Sequence, residues 1–389
     1  MNIVQLKDGV FEVGALDWNQ RSFHGYATPR GITYNAYLIM DEKITLIDTV
    51  KEPFAEELLS RIRQIVDPAR IDYVVSNHAE PDHSGALPRV MQVATGAKVV
   101  TTDPAGLKVI SGHHGAGFDY MPVKAGQTLS LGRRELTFVA TPMLHWPDNM
   151  VTWCPQEKIL FSNDAFGQHL ATSQRFDDEQ DLSVVMHETR TYYANILLPF
   201  GKQAQKVLKT VRDLDPEIIA PSHGVIWRGH IPEVLSEYDH LASDEVEPKA
   251  VVVFDCMWGA TEKMARAVVE GFARKGLKTR LFDLRVDALS EIMTEIHKAE
   301  YLAIGSPTQN NTMMANVGGL LTYYKGLKPG PKKAFGFGSF GWSGQAVGEI
   351  NSFLESAGSQ IVLDQAQTRL LYTPDAEKLA ALEEAVASL

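Results

Sequence analysis

The segment His78-Ala79-Glu80-Pro81-Asp82-His83 follows the apolar run IDYVVSN directly and leads into Ser84-Gly85. Two imidazoles and two carboxylates are crowded into six residues beside an apolar strand. Desolvating such a cluster costs several kcal/mol unless cations compensate it. The chain must therefore fold around positive charge at this point. A strand running out into a turn that contains Pro and Gly aims alternate side chains at one point, while residues beside the turn reach a second point a few ångströms away. That spacing suits a pair of metal ions. His145 after LTFVATP, Asp164 at the end of KILFSND and His223 after EIIAPS extend the pattern, because each also stands at the exit of an apolar run. One sheet edge is expected to collect His78, Glu80, Asp82, His83, His145, Asp164 and His223. The isolated His24, His113, His114, His187, His230 and His240 read instead as ordinary surface or hydrogen-bonded core residues. The only two cysteines, Cys154 and Cys256, are far apart and form no CxxC pair, so no disulfide framework, cysteine zinc site or rubredoxin-type iron site can be built. Carboxylates with imidazoles suit iron or manganese as much as zinc.

The strands around these residues (ITLIDT, IDYVVSN, KVVTT, LTFVAT, KILFSND, EIIAPSHG) come with irregular spacing, which predicts a layered αββα sandwich. A shift to charged and helix-breaking residues in YDHLASDEVEPK marks a boundary, giving domains 1–247 and 248–389. Beyond it the pattern is regular. Strands AVVVFD (250–255), KTRLFDL (278–284), YLAIGSP (301–307), KKAFGFGSF (332–340) and QIVLD alternate with helices, which predicts an α/β doubly wound parallel sheet.

In the second domain AVVVFD runs into Cys256-Met257-Trp258-Gly259-Ala260-Thr261, with a helix immediately after. Backbone N–H groups of such a turn, backed by the helix dipole, receive a phosphate. This turn carries neither GxGxxG nor GK[ST], so a flavin monophosphate fits better than NAD or ATP. Two companion loops, Ser306-Pro307-Thr308-Gln309-Asn310-Asn311 and Ser339-Phe340-Gly341-Trp342-Ser343-Gly344, leave adjacent strands at the same carboxyl edge, where open α/β sheets bind ligands. Trp258 and Trp342 are suited either to screen the flavin or to pack as edge tryptophans.

Composition excludes other classes. No apolar run approaches the ~20 residues of a membrane span, and the first residues carry no apolar leader, so a cytoplasmic protein is expected. A net charge of −11 without a basic stripe argues against nucleic acid as partner.

HxExDH with its later His, Asp and His resembles the metallo-β-lactamase-like domain of the flavodiiron proteins, also called A-type flavoproteins. The resemblance continues through a flavodoxin-like second domain over nearly the whole chain. Zinc hydrolases of this fold usually carry HxHxDH, and Glu80 stands where they have the second His. The resemblance implies that His78, Glu80 and His145 hold one iron, that Asp82 and His223 hold the other, and that Asp164 bridges them. His83 matches a position that either ligates the second iron or swings away. Tyr193 resembles a pocket tyrosine, and Trp146 and His169 are placed to hold ligands or exclude solvent. For FMN it implies that Met257, Gly259, Ala260 and Thr261, with Cys256 in place of the usual Ser or Thr, cradle phosphate. Ser306, Pro307, Thr308, Asn310 and Asn311 would flank the ring, with Ser339, Phe340, Gly341, Trp342 and Gly344 on its other side. The implied activity is reduction of dioxygen to water or nitric oxide to nitrous oxide, in a head-to-tail homodimer. Because Leu389 follows the last helix closely with no Cys-rich extension, a separate donor such as rubredoxin or a flavin reductase is expected. Two rivals are a binuclear zinc hydrolase with an attached flavodoxin domain, which Glu80 opposes, and a non-catalytic gas sensor or electron carrier.

Overall fold

Neighbouring strand residues in the first part of the chain go to opposite faces, as the pleat requires. Leu38, Leu46, Val74 and Val99 join one apolar cluster, whereas Tyr37, Ile39, Ile47, Val75 and Val100 join another. The computed structural model describes residues 3–389. Its strands order as Val4–Lys7, Val10–Glu12, Tyr37–Ile39, Thr45–Ile47, Tyr73–Val75, Lys98–Thr102 and Tyr120–Val123 in one sheet. Helices Ala55–Arg63, Leu87–Val93 and Ala105–His114 bury Leu58, Leu59, Ile62, Val90 and Ile110 against its outer face.

A second sheet, Thr128–Ser130, Glu135–Ala140, Met150–Cys154, Ile159–Asn163 and Ile218–Pro221, supplies Phe138, Met150, Ile159, Phe161 and Ile218 to the cluster between the sheets. Leu160 and Ile219 are fully buried on its other face. Helices Gly201–Leu214 and Ile231–Ala242 pack on each other. The layers are those of an αββα sandwich. Ile159–Asn163 and Ile218–Pro221 run parallel, as do Thr45–Ile47 and Tyr73–Val75, so each pair releases its next residues at a common edge.

The chain packs as two units: Met1–His24, Thr28–Tyr192 and Phe200–Ala242 form one, and Gly25–Ala27, Tyr193–Pro199 and Ser243–Leu389 the other. In the second unit the strands Lys278–Asp283, Glu247–Phe254, Ala299–Gly305, Lys333–Phe340 and Gln360–Ile361 lie in that order, all parallel. Both faces are apolar: Val251, Val253, Leu302 and Ile304 face one cluster, and Ala250, Val252, Tyr301 and Ala303 the other. Continuous apolar runs are what such a doubly covered sheet demands.

The last strand departs from the expected QIVLD. Only Gln360–Ile361 pairs with the amino half of Lys333–Phe340. The Asp364 carboxylate then accepts from the Ala366 N–H, starting a one-turn helix, Gln365–Thr368. A further strand, Arg369–Leu371, pairs with the carboxyl half of Lys333–Phe340. No helix among the described residues is long and apolar enough to cross a membrane.

Lys332, beside the amino end of Lys333–Phe340, is buried, and its ammonium donates to the His297 carbonyl at 2.8 Å. Burial, joined by the like charges of Lys298 and Lys249, pushes its pKa down to about 7. An unfolded lysine stays protonated up to a pH of about 10.4. Between those values the unfolded chain binds more protons than the folded one, so this group makes stability rise with pH. Lys332→Met should abolish the rise: its stability relative to the parent should decline from neutral to alkaline pH by at most about 1.4 kcal/mol per pH unit. Urea midpoints of both proteins across that range check the sign.

Candidate metal centre and cofactor cleft

Three of the seven predicted ligands follow a small polar residue at a strand exit: Asn77 before His78, Asn163 before Asp164 and Ser222 before His223. Asp48, after Thr45–Ile47, joins these exits. Its buried carboxylate accepts from the Asn77 N–H (2.8 Å), Asn77 Nδ2 (3.0 Å) and Asn163 Nδ2 (3.3 Å), and Asn163 Nδ2 also donates to Ser222 Oγ at 3.0 Å. Burial pushes the Asp48 carboxyl up, against the opposing pull of His83 and of these donors.

The side chains converge on Asp164. Its Oδ2 lies 3.3 Å from His145 Nε2 and 3.8 Å from His78 Nε2, and its Oδ1 lies 3.0 Å from His83 Nε2 and 3.6 Å from His223 Nε2. Glu80 Oε2 completes the first set, 3.2 Å from His78 Nε2 and 3.3 Å from His145 Nε2. Asp82 completes the second, with Oδ2 3.2 Å from His223 Nε2 and Oδ1 3.4 Å from His83 Nε2. Two ligand groups result, His78–Glu80–His145–Asp164 and Asp82–His83–His223. The residues Pro81–Ser84 form one helical turn rather than a loop, which is how Asp82 and His83 turn to the second group.

The donor set fits metal ions. Ligand atoms ~2.0–2.2 Å from a common ion stand roughly 3.0–3.5 Å apart, which matches these separations. Asp82 Oδ1 and Asp164 Oδ2 are buried without a hydrogen bond among the described residues. Burial alone would lower the histidines, yet Asp148, Glu80 and Asp164 push His78 up to about 10, and neighbouring carboxylates push His83 and His145 up to about 9. The carboxylates call for positive charge that two cations would supply. Burial opposes ionisation of Glu80 too, but hydrogen bonds from His145 and His78 hold it well below the usual carboxylate range.

The outward ring nitrogens fix the tautomers. His78 Nδ1 donates to Asp148 Oδ2 at 2.9 Å, an oxygen that also accepts the Ala79 N–H at 2.7 Å. His223 Nδ1 donates to the Thr33 carbonyl at 2.6 Å. Both leave Nε2 free to face the carboxylates.

In the second unit the three predicted loops meet. Cys256, Met257, Trp258, Ala260, Thr261, Pro307, Thr308, Ser339, Phe340, Gly341 and Trp342 line a cavity of about 340 Å³, together with Tyr372 and Thr373. Gly259 starts the helix Ala260–Arg274 at φ +85°, and its N–H reaches Cys256 Sγ at 3.1 Å. Ser306 lies behind the lining: its Oγ donates to the Pro307 carbonyl at 2.8 Å and accepts the Met314 N–H at 2.9 Å. Asn310 and Asn311 form the tip of a tight turn at φ +50° and +63°, and Asn311 Oδ1 accepts from Ser343 Oγ at 3.2 Å. Gly338 allows close approach of backbones, since a Cβ there would stand 1.8 Å from the Ser306 carbonyl oxygen. At Gly344 a Cβ would crowd the side chains of Arg369 (2.8 Å to Cδ) and Phe340 (3.1 Å to Cγ).

Comparisons with known proteins agree with this pairing of sites. Residues 32–224 match the family model of the ODP family beta lactamase, and residues 252–387 match that of flavodoxin. The chain is 43% identical over 380 residues to a nitric oxide reductase of Moorella thermoacetica, covering 97% of this chain and 95% of that one. It is 41% identical over 394 residues to the rubredoxin-oxygen oxidoreductase of Megalodesulfovibrio gigas, covering 100% and 98%. The crystal structure of the flavodiiron protein from Giardia intestinalis superposes with a TM-score of 0.97 at 39% identity, covering 100% of this chain and 96% of that one. The chain belongs to the flavodiiron protein family.

Around the metal centre of this flavodiiron protein the structure adds residues. The hydroxyl of Tyr192, the neighbour of Tyr193, donates to Asp164 Oδ1 at 2.9 Å. Consecutive helical residues point about 100° apart, and Tyr193 groups with the second unit, its ring stacked on His297 at 5.6 Å. His24, read from sequence as an ordinary histidine, places Nε2 3.2 Å from Glu80 Oε1. Phe23, Tyr192 and His223 enclose the ring of His169, which burial, aided by the charge of His223, pushes well below the usual histidine value. Trp146 lies edge-on to His78 at 5.0 Å and near His145 at 6.2 Å. His114 Nε2 contacts Ser84 Oγ at 2.9 Å.

Asp148 orients His78 without facing the ligand groups itself. Asp148→Asn keeps an acceptor but removes the charge, so metal affinity should fall by about 10–100-fold while the fold persists. Metal content after graded chelator dialysis, with circular dichroism as control, checks this.

Proposed function

We propose that this flavodiiron protein reduces dioxygen to water or nitric oxide to nitrous oxide at two non-haem irons, with electrons relayed through FMN from a separate donor. The division of one carboxylate, Asp164, between two histidine groups carries the reading, because a carboxylate so placed bridges two cations. In this proposal His78, Glu80 and His145 hold one iron, Asp82, His83 and His223 hold the other, and Asp164 holds both. Glu80 in place of a second histidine favours iron over the all-histidine zinc set of hydrolases. The names of the Moorella and Megalodesulfovibrio relatives support reduction of nitric oxide and of oxygen.

Bound together, a reduced flavin and two ferrous irons supply the four electrons that converting dioxygen to water takes. The protein's own residues manage charge and protons around that chemistry. Glu80, Asp82 and Asp164 offset the cation charge inside an otherwise apolar sandwich. Asp148 and the Thr33 carbonyl keep His78 and His223 in the ligating tautomer. His24, half exposed, has its Nε2 beside Glu80 Oε1, and the Tyr192 O–H is held at Asp164 Oδ1, so groups able to donate hydrogen bonds border both sides of the centre. Trp146 and Phe23 limit water.

The name of the Megalodesulfovibrio relative favours rubredoxin as donor, with a flavin reductase as the other class. A head-to-tail homodimer is supported by Trp258 and Trp342, which are 92% and 91% exposed beside the flavin cavity and form the kind of apolar surface a second copy covers. Two free, buried cysteines accord with the reducing cytoplasm.

Anaerobic mixing of the reduced protein with dioxygen or nitric oxide should reoxidise the flavin and iron spectra within turnover time. Spectra that stay unchanged would sink the proposal. Two zincs per chain with thioester or lactam hydrolysis would favour the hydrolase instead. Removing iron should abolish gas consumption while leaving the flavin reducible. Comparing steady-state consumption of the two gases with one donor decides the preference.

A further inference from the structure

The chain carries a segment at the flavin cavity that belongs to none of the three loops. Arg369–Leu371 runs parallel to the carboxyl half of Lys333–Phe340, pairing Phe340 with Leu371. The next residue, Tyr372, donates its N–H to the Phe340 carbonyl at 2.7 Å, and Tyr372 and Thr373 then line the cavity.

Two properties of Tyr372 are hard to explain as packing. Its backbone lies at φ +54°, a region that a bulky L-residue enters only when its surroundings hold it there. Its side chain, moreover, is 66% exposed, so the conformation is not compensated by burial of the ring in the protein. The ring stands at the edge of the third loop, where Cε1 comes within 3.9 Å of the Cβ position of Gly341. A strained backbone that holds an aromatic ring out at the mouth of a cavity is a placement that a planar ligand would complete.

We propose that Tyr372 is a fourth point of flavin recognition, packing its ring against the isoalloxazine rather than reaching the phosphate. The phosphate turn, Cys256 to Thr261, lies on a different loop, whereas Tyr372 is hydrogen-bonded to Phe340, beside Gly341 and Trp342 of the loop expected at the ring. The split of the last strand then has a purpose: it brings Tyr372 to the carboxyl edge, which an uninterrupted QIVLD strand would not do. This inference rests on the FMN reading above.

The test uses the full chain, freed of flavin and titrated with FMN and separately with riboflavin, which has the ring but no phosphate, following quenching of flavin fluorescence. Tyr372→Asn is the informative variant, because asparagine tolerates the left-handed backbone and a loss cannot be assigned to released strain. Aromatic contact predicts about tenfold weaker binding of both ligands to Tyr372→Asn. Tyr372→Phe should stay within about twofold of the parent, since the ring and not the hydroxyl makes the contact. Unchanged binding in Tyr372→Asn would overturn the assignment, and so would a loss confined to FMN, which would move the contact to the phosphate. A parent that binds neither ligand would instead overturn the FMN reading itself. Thermal unfolding of both variants close to the parent's is expected, because the side chain is exposed.

Discussion

Everything in the first unit is arranged around the difficulty of keeping three carboxylates close together inside an apolar sandwich. Glu80, Asp82 and Asp164 are each less than a tenth exposed; Glu80 faces His78 and His145, Asp82 faces His83 and His223, and Asp164 faces all four. Repulsion among them has to be met by positive charge, whether on protonated histidines or on metal ions. The rest of the site follows from that demand. Asp148 and Thr33 turn the rings, Asp48 fixes the strand exits, and Asp164 is shared because two groups of cationic character must sit side by side.

Much of this was legible in the sequence, and the reason is geometric. Ligands at the ends of buried strands are advertised by apolar runs, so His78, His145, Asp164 and His223 could be placed from IDYVVSN, LTFVAT, KILFSND and EIIAPS without coordinates. The doubly wound sheet was legible for the same reason, and the three flavin loops follow from its strand order. Where the chain is irregular the signal fails. His24 sits outside any periodic element, and nothing in its neighbours distinguishes it from a surface histidine. Tyr192 and Tyr193 are adjacent in a helix whose geometry changes at that point, from α over Leu182–Tyr192 to π over Tyr193–Leu197, and nothing in the sequence marks Tyr192 as the one whose hydroxyl reaches Asp164. Tyr372 was invisible because the strand that delivers it is too short to show alternation.

The polar residues that precede the ligands are as informative as the ligands themselves. Asn77, Asn163 and Ser222 make no claim on a metal, yet each is buried and hydrogen-bonded, and each satisfies backbone or side-chain groups at a strand end that would otherwise be stranded. Thr152 Oγ1 donates to Asn77 Oδ1 at 2.7 Å, tying the second sheet to the first just below the centre.

The two ligand groups do not divide along the two sheets. Residues 78–83 leave the first sheet, whereas His145, Asp164 and His223 leave the second, and each group takes members from both. During synthesis the first sheet can therefore emerge complete without offering a finished pocket to any ion. Only when the second sheet closes over the first, and the last ligand has left the ribosome, does either group exist. Completion of either ligand group is in this way tied to the final docking of the sandwich.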